Sequence, residues 1–179
     1  MRSTVWLLLL LFLTACTSQE EKTLPDQRLL EKEAQLSAQH PAAYFEFAKT
    51  LQKKGDMDRA AIMYYVGQIR YRAYLNTLPE AEAATEEKTY EALKSRMGED
   101  INKYAGRNLD NWIRILDAAV QWHNDNPSVF LPKEDYRLLY ELTIYNFNQL
   151  RDYIAENKEF IRQQRAQQGL PNERGGGQR

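Results

Sequence analysis

The chain has 179 residues, and its 24 basic and 25 acidic side chains leave a formal net charge of −1. This even balance argues against a nucleic-acid-binding protein and gives no reason to expect attraction to anionic lipid. There is one cysteine, and the two histidines, His40 and His123, lie far apart in no HExxH or CxxC arrangement. We therefore expect no metal, no cofactor and no disulfide.

The first sixteen residues carry the pattern of a secretory targeting segment. Arg2 supplies a positive start, residues 5–13 form an apolar run, and small residues come just before Cys16. The alternatives are a membrane-spanning anchor and an ordinary secretory signal with an incidental cysteine. A spanning helix needs about 20 apolar residues, whereas this run is broken at Thr14.

The segment resembles the signal of bacterial lipoproteins, in which Leu13-Thr14-Ala15-Cys16 would be the lipobox. The resemblance implies that residues 1–15 are removed as a signal peptide. It also implies that Cys16 is acylated on its new amino group and carries a diacylglyceryl thioether. In such lipoproteins an Asp after the cysteine is typical of retention at the inner membrane, whereas Thr17 stands here. The resemblance therefore implies a lipid anchor at the periplasmic face of the outer membrane.

The mature chain is predicted to consist of a tether, one domain and a tail. Residues 16–25 are polar and end at Pro25, and a tether of this length reaches at most about 30 Å from the membrane. Residues 26–168 show helical rather than strand periodicity, which predicts a compact all-α domain. Residues 169–179 begin with a Gly-Leu-Pro stop and then offer nothing apolar to pack, so we expect a disordered tail.

Glycine, proline and asparagine mark the expected helix ends. The expected helices cover about residues 26–39, 41–74 in two halves divided at 54–56, 80–96, 108–124 and 132–168. A short separate turn is expected between Gly98 and Gly106. Asn108 fits the N-cap position of the helix that follows it, and Pro132 opens a long C-terminal helix with apolar residues every three or four positions.

Residues 41–74 alternate bulky and small residues in a way that resembles a single tetratricopeptide-like or Sel1-like helical hairpin. The positions that carry the resemblance are Tyr44, Ala48, Gly55, Ala60, Tyr64 and Gly67. The resemblance implies two antiparallel helices that approach closely at the small residues. No second copy follows at a similar period, so a repeat array is not expected. A fainter resemblance to uncharacterised helical bacterial proteins, over about residues 55–125, implies no chemistry.

The sequence offers little catalytic chemistry. It has no G-x-S-x-G elbow and no phosphate-binding glycine loop, and its one cysteine is expected to carry lipid. Glu46 stands between Phe45 and Phe47, so its pKa would be raised if the side chain were buried. One alternative function, an envelope hydrolase, would require a buried acid of this kind.

The candidate binding residues are Tyr65, Ile69 and Arg72. They share one side of the predicted helix within the aromatic and arginine-rich segment 64–74. Tyrosine and arginine are enriched at protein-binding hot spots, because each combines contact area with directed hydrogen bonds. The alternative is structural: the rings of this segment pack against Trp112 or Tyr140, and its arginines pair with acids.

These observations favour a non-catalytic lipoprotein that binds another protein, and the most specific form is an immunity protein against a periplasm-delivered effector toxin. An assembly or pilot lipoprotein, whose partner would be a component of an envelope complex, is the first alternative. The envelope hydrolase is the second.

Overall fold

A computed structural model describes residues 27–173, and within them the chain forms seven α-helices, one short 3₁₀ turn and no strand. The prediction of an all-α domain is confirmed. The helices are α1 (Gln27–Gln35), α2 (Ala42–Lys53), α3 (Met57–Leu75), α4 (Glu80–Arg107), α5 (Leu109–Asp125), α6 (Lys133–Glu156) and α7 (Lys158–Gln167), with the 3₁₀ turn at Leu36–Ala38. None of these helices is long and apolar enough to cross a membrane.

Helix α3 lies at the centre and packs against α2, α4, α5 and α6. Its residues are buried on every side, which is why its sequence is rich in aromatic and apolar residues around the whole helix. Helices α2 and α3 form the predicted hairpin. Gly55 has a φ of +81° in the turn between them, and Asp56 caps α3 by accepting a hydrogen bond from the backbone N–H of Arg59 at 3.4 Å.

Helix α4 runs without interruption from Glu80 to Arg107, so the predicted break at Gly98 and separate turn before Gly106 are wrong. Glycine in a helix costs only about 1 kcal/mol relative to alanine, which tertiary packing readily offsets. Both glycines lie where a neighbouring side chain comes close. A Cβ at residue 98 would lie 2.7 Å from the hydroxyl of Tyr64, and a Cβ at residue 106 would collide with the guanidinium of Arg165.

The predicted long C-terminal helix begins after Pro132 but is divided at Asn157 into α6 and α7. Asn157 leaves helical geometry with φ −115° and ψ 24°, and its side-chain Nδ2 donates to the carbonyl of Tyr153 at 2.8 Å. An asparagine side chain that competes for the backbone carbonyl in this way disfavours a continuous helix. The Asn108 cap of α5 is confirmed, because its side chain accepts from the backbone N–H of Asn111 at 3.1 Å.

The last helix ends in a Schellman motif at Gly169, which has a φ of +69°. The N–H of Gly169 donates to the carbonyl of Ala166 at 3.0 Å, and the N–H of Leu170 donates to that of Arg165 at 2.9 Å. The N–H of Glu173 then donates to the carbonyl of Arg107 at 2.6 Å. Residues 169–173, which we expected to begin a disordered tail, are therefore held against α4 and α7.

The predicted signal peptide, Cys16 and the tether lie outside the described residues, as do residues 174–179.

Candidate functional site

Two of the three predicted binding residues lie in the core. Tyr65 and Ile69 are 3% and 0% exposed, which corrects the expectation that they form a surface. The Tyr65 hydroxyl donates to Oδ1 of Asn102 at 3.1 Å and accepts from Nε1 of Trp112 at 2.8 Å. Burial raises the pKa of Tyr65 above its usual range. The structural alternative, in which these rings pack against Trp112, therefore describes Tyr65.

Arg72 is exposed, as predicted, but its guanidinium has intramolecular partners. Its Nε donates to the hydroxyl of Tyr90 at 3.1 Å, and the guanidinium lies over the Tyr90 ring, 5.4 Å from its centroid. Burial raises the pKa of Tyr90 to about 12, so this phenol is neutral at physiological pH. Tyr65, Ile69 and Arg72 therefore lie on the same side of α3, as their spacing predicts, but of the three only Arg72 reaches the surface.

Glu46 is exposed and forms an ion pair with Arg96 on α4. Glu46 therefore lacks the buried environment that the envelope-hydrolase alternative requires. His40 lies at the start of α2, where its Nδ1 accepts from the backbone N–H of Ala42 at 3.2 Å, and partial burial lowers its pKa. Within residues 27–173, no three His, Cys, Asp or Glu side chains converge in a way that could hold a metal ion.

A buried arginine was missed by the sequence analysis. Arg70 is 1% exposed, donates to the hydroxyl of Tyr44 and to the carbonyl of Asn126, and lies over the rings of Tyr44 and Trp122. Among the described residues it forms no ion pair with a carboxylate. The sequence indicated this position only through the apolar residues Val66 and Ala73, which lie one helical turn before and after Arg70. Both of these residues are buried in the structure.

His123 on α5 is a second buried polar residue in the interior, close enough to Arg70 to be affected by its charge. Its ring centroid is 4.6 Å from that of Tyr140, and neither of its nitrogens has a hydrogen-bond partner among the described residues. Burial, and secondarily the charge of Arg70, lower the pKa of His123 to about 3, so the ring is neutral. Because burial opposes protonation of this ring, His123 makes the stability of the fold depend on pH.

A shallow cleft of about 650 Å³ lies between α3, α4, α5 and α6. Its polar side chains already have partners: Tyr64 donates to the carbonyl of Lys94 at 3.2 Å, and Tyr65, Asn102 and Trp112 bond to one another. The cleft therefore presents no unpaired buried group to a ligand.

The outward face of α6 carries a row of exposed apolar side chains. The members are Leu138, Leu142, Tyr145 and Tyr153, which are between 49% and 73% exposed. At about 100° per residue, these four side chains fall within an arc of about 80°, and we call this row the outer stripe. On α7, Phe160 is also exposed.

The outer stripe lies opposite the face of α6 that enters the core. The core face consists of Tyr140, Thr143, Phe147 and Ile154. A helix at the edge of a domain usually has one apolar face, whereas α6 has two. The spacing of residues 138, 142 and 145 indicates this second apolar face in the sequence. It is hard to recognise there, because the apolar residues of the core face lie between these positions.

The outer stripe is thus the candidate functional surface, and its apolar and aromatic side chains are suited to contact with another macromolecule rather than to a reaction. Comparison of the chain with protein-family models, with curated proteins and with solved structures gives no match.

Proposed function

We propose that this protein is a non-catalytic protein-binding module, tethered by lipid on Cys16 to the periplasmic face of the outer membrane. The observation that carries the binding function is the outer stripe on α6. Single exposed apolar residues are ordinary, but four on one arc of one helix form a continuous surface that a partner would shield from water. Two of the four are tyrosines, which are enriched at binding hot spots. The lipobox-like residues 13–16 support the location.

The most specific form of the proposal is an immunity protein against an effector toxin delivered into the periplasm. Inhibition by binding requires a complementary surface on a stable scaffold, and it requires no chemistry from the inhibitor. A lipid tether would concentrate the inhibitor at the membrane where such an effector acts.

A pull-down with matched variants tests the binding function. The mature chain with Cys16→Ser is used as bait in envelope extract, beside the double variant Leu142→Ser/Tyr145→Ser and the control Val129→Ser. Val129 is also exposed but lies in the loop before α6. We expect one partner to be captured by the parent and by the control and lost by the double variant. No capture at all, or equal capture by all three, contradicts the proposal.

A deletion strain tests the immunity role. We expect the deletion to be outcompeted by a sibling strain that delivers the effector. Resistance should be restored by the parent gene and not by the Leu142→Ser/Tyr145→Ser gene. Unchanged sensitivity to every delivered effector rules out immunity. Loss of a secretion or outer-membrane complex in the same strain would identify an assembly role instead.

A further inference from the structure

The outer stripe has the dimensions and spacing of a helix-packing seam. Positions 138, 142, 145 and 149 follow the four-three-four spacing of a coiled coil, with Gln149 as the one polar position. From Leu138 to Tyr153 the stripe extends for about 22 Å, because each helical residue rises about 1.5 Å. It lies along a single exposed helix, so a partner helix could lie beside it with its own apolar seam against these side chains.

The charges that flank the outer stripe on α6 are acidic. Glu141, Asp152 and Glu156 lie within about 60° of Leu138 around the helix axis, whereas Arg137 and Arg151 lie about 100° or more away. Arg137 is 3.7 Å from Glu141, and Arg151 is 2.7 Å from Asp152, so these two acids are partly neutralised. Glu156 forms no ion pair among the described residues. On α7, Glu159 is exposed next to Phe160 and lies 3.9 Å from Arg162, which partly neutralises it.

This charge distribution disfavours the other available occupants. A second copy of the chain would bring two sets of acidic flanks together, and an anionic lipid surface would be repelled. The chain's own outer segments do not fit either. Residues 17–26 contain Glu20, Glu21 and Asp26 against Lys22, and residues 174–179 contain no apolar side chain.

We infer that the outer stripe receives a basic amphipathic helix of the partner protein, with Lys or Arg beside its apolar seam facing Glu141, Asp152 and Glu156. This inference rests on the proposed protein-binding function and specifies the partner's chemistry. The apolar seam supplies most of the affinity, while the charge pairs select the partner and its register and make binding sensitive to salt.

Designed peptides test the inference directly. The probes are labelled three-heptad helices with Leu at the seam positions and either Lys or Glu on both flanks, together with a scrambled Lys peptide of the same composition. Binding to the mature Cys16→Ser chain is followed by fluorescence anisotropy at low ionic strength and at about 0.15 M salt. This chain retains residues 27–173 and therefore every core residue that the structure describes. We expect the Lys peptide to bind at least about tenfold more tightly than the Glu and scrambled peptides, with the preference reduced by salt.

Two sets of variants locate the binding. Leu142→Ser/Tyr145→Ser should abolish binding of the Lys peptide, and Glu141→Lys/Glu156→Lys should reverse the preference in favour of the Glu peptide. Val129→Ser and Glu87→Lys, at exposed positions outside α6, should leave both affinities unchanged. Equal binding of the Lys and Glu peptides, or a loss in the control variants as well, overturns the inference.

Two further experiments test the other possible occupants of the outer stripe, a second copy of the chain and a membrane. Sedimentation of the parent chain as a dimer that Leu142→Ser/Tyr145→Ser makes monomeric would assign the stripe to a second copy. Stripe-dependent flotation with zwitterionic vesicles would assign it to a membrane. Either result overturns the basic helix. If the pull-down partner depends on the stripe but the peptides show no charge preference, the proposed function stands and this inference fails.

Discussion

Arg70 of α3 donates a hydrogen bond to the hydroxyl of Tyr44 of α2 in the interior of the protein. The guanidinium remains charged, because arginine does not deprotonate in proteins, and no carboxylate among the described residues pairs with it. Its desolvation is offset by neutral acceptors and by the Tyr44 ring, whose centroid is 4.9 Å from the guanidinium carbon. Burial raises the pKa of Tyr44 to about 12, so the acceptor is a phenol and not a phenolate.

The first prediction is that the Tyr44 hydroxyl stabilises the folded protein through its hydrogen bond with Arg70. Tyr44→Phe should lower the free energy of unfolding by about 2 kcal/mol, the contribution of a hydrogen bond to a charged group. In an Arg70→Met background the hydroxyl has lost its charged partner, so the same change should cost close to nothing. Urea unfolding followed by circular dichroism measures all four chains. Equal costs in the two backgrounds would show that the two residues are not coupled.

The second prediction concerns acid. The folded-state pKa of His123 is about 3, below its ordinary value of 6.5, because burial and the charges of Arg70 and Lys133 oppose protonation. Below pH 6.5 the unfolded chain therefore binds more protons, and the free energy of unfolding falls as the pH falls toward 3. Between pH 6.5 and about pH 4.5 this residue alone should cost about 2 kcal/mol.

His123→Leu is the matched variant for this prediction. The change removes two ring nitrogens that have no hydrogen-bond partner among the described residues, so stability at neutral pH should be retained or increased. Protonation of carboxylates affects both chains alike and cancels in the difference. The difference in unfolding free energy between parent and variant should therefore change by about 2 kcal/mol over the same pH interval. Parallel pH profiles would place His123 in contact with water.

The third prediction concerns the contact between α2 and α3. A Cβ at residue 67 would lie 2.9 Å from Cε2 of Phe45 and 3.0 Å from Cβ of Tyr44. Helix propensity alone predicts that Gly67→Ala stabilises α3 by about 1 kcal/mol, whereas crowding of a packed core costs about 1–3 kcal/mol. We expect a net loss, because the Cβ of Tyr44 cannot move without its backbone. The sign of the change in Tm decides between the two effects.

Helix ends were predictable from the sequence because their causes are local. The left-handed turn at Gly55, the side-chain cap at Asn108 and the stop at Gly169 are each encoded within a few residues. Gly98 was misread because glycine in a helical pattern has two meanings, a break or a close approach. Only the position of Tyr64 on another helix distinguishes them.

The candidate site was less predictable, because exposure depends on the neighbours of a helix. The spacing of Tyr65, Ile69 and Arg72 indicated one face of an amphipathic helix, but α3 has buried residues on every side, and of these three only Arg72, near its C-terminal end, is exposed. Glu46 sits between two buried phenylalanines in sequence, yet its side chain points outward to Arg96. The outer stripe emerged only when the core face of α6 was known.

The last prediction concerns residues 169–173. Arg165 is mostly buried and its guanidinium donates to the carbonyl of Pro171 at 3.0 Å and to Oδ1 of Asn172 at 3.2 Å. Lysine cannot reproduce this forked geometry. Arg165→Lys should therefore accelerate hydrogen exchange at the amide of Glu173, while the amide of Leu170, which donates to a backbone carbonyl, should keep its protection.

Gly169→Ala provides the contrast. Its φ of +69° costs an L-residue about 1 kcal/mol or more, so this change weakens the Schellman motif itself and should accelerate exchange at both Leu170 and Glu173. Hydrogen exchange measured by NMR separates the two amides, and amides within α2 serve as the internal reference. Fast exchange at Glu173 in the parent chain would mean that this segment is not held against α4 in solution, because its amide hydrogen bond to Arg107 would then be absent.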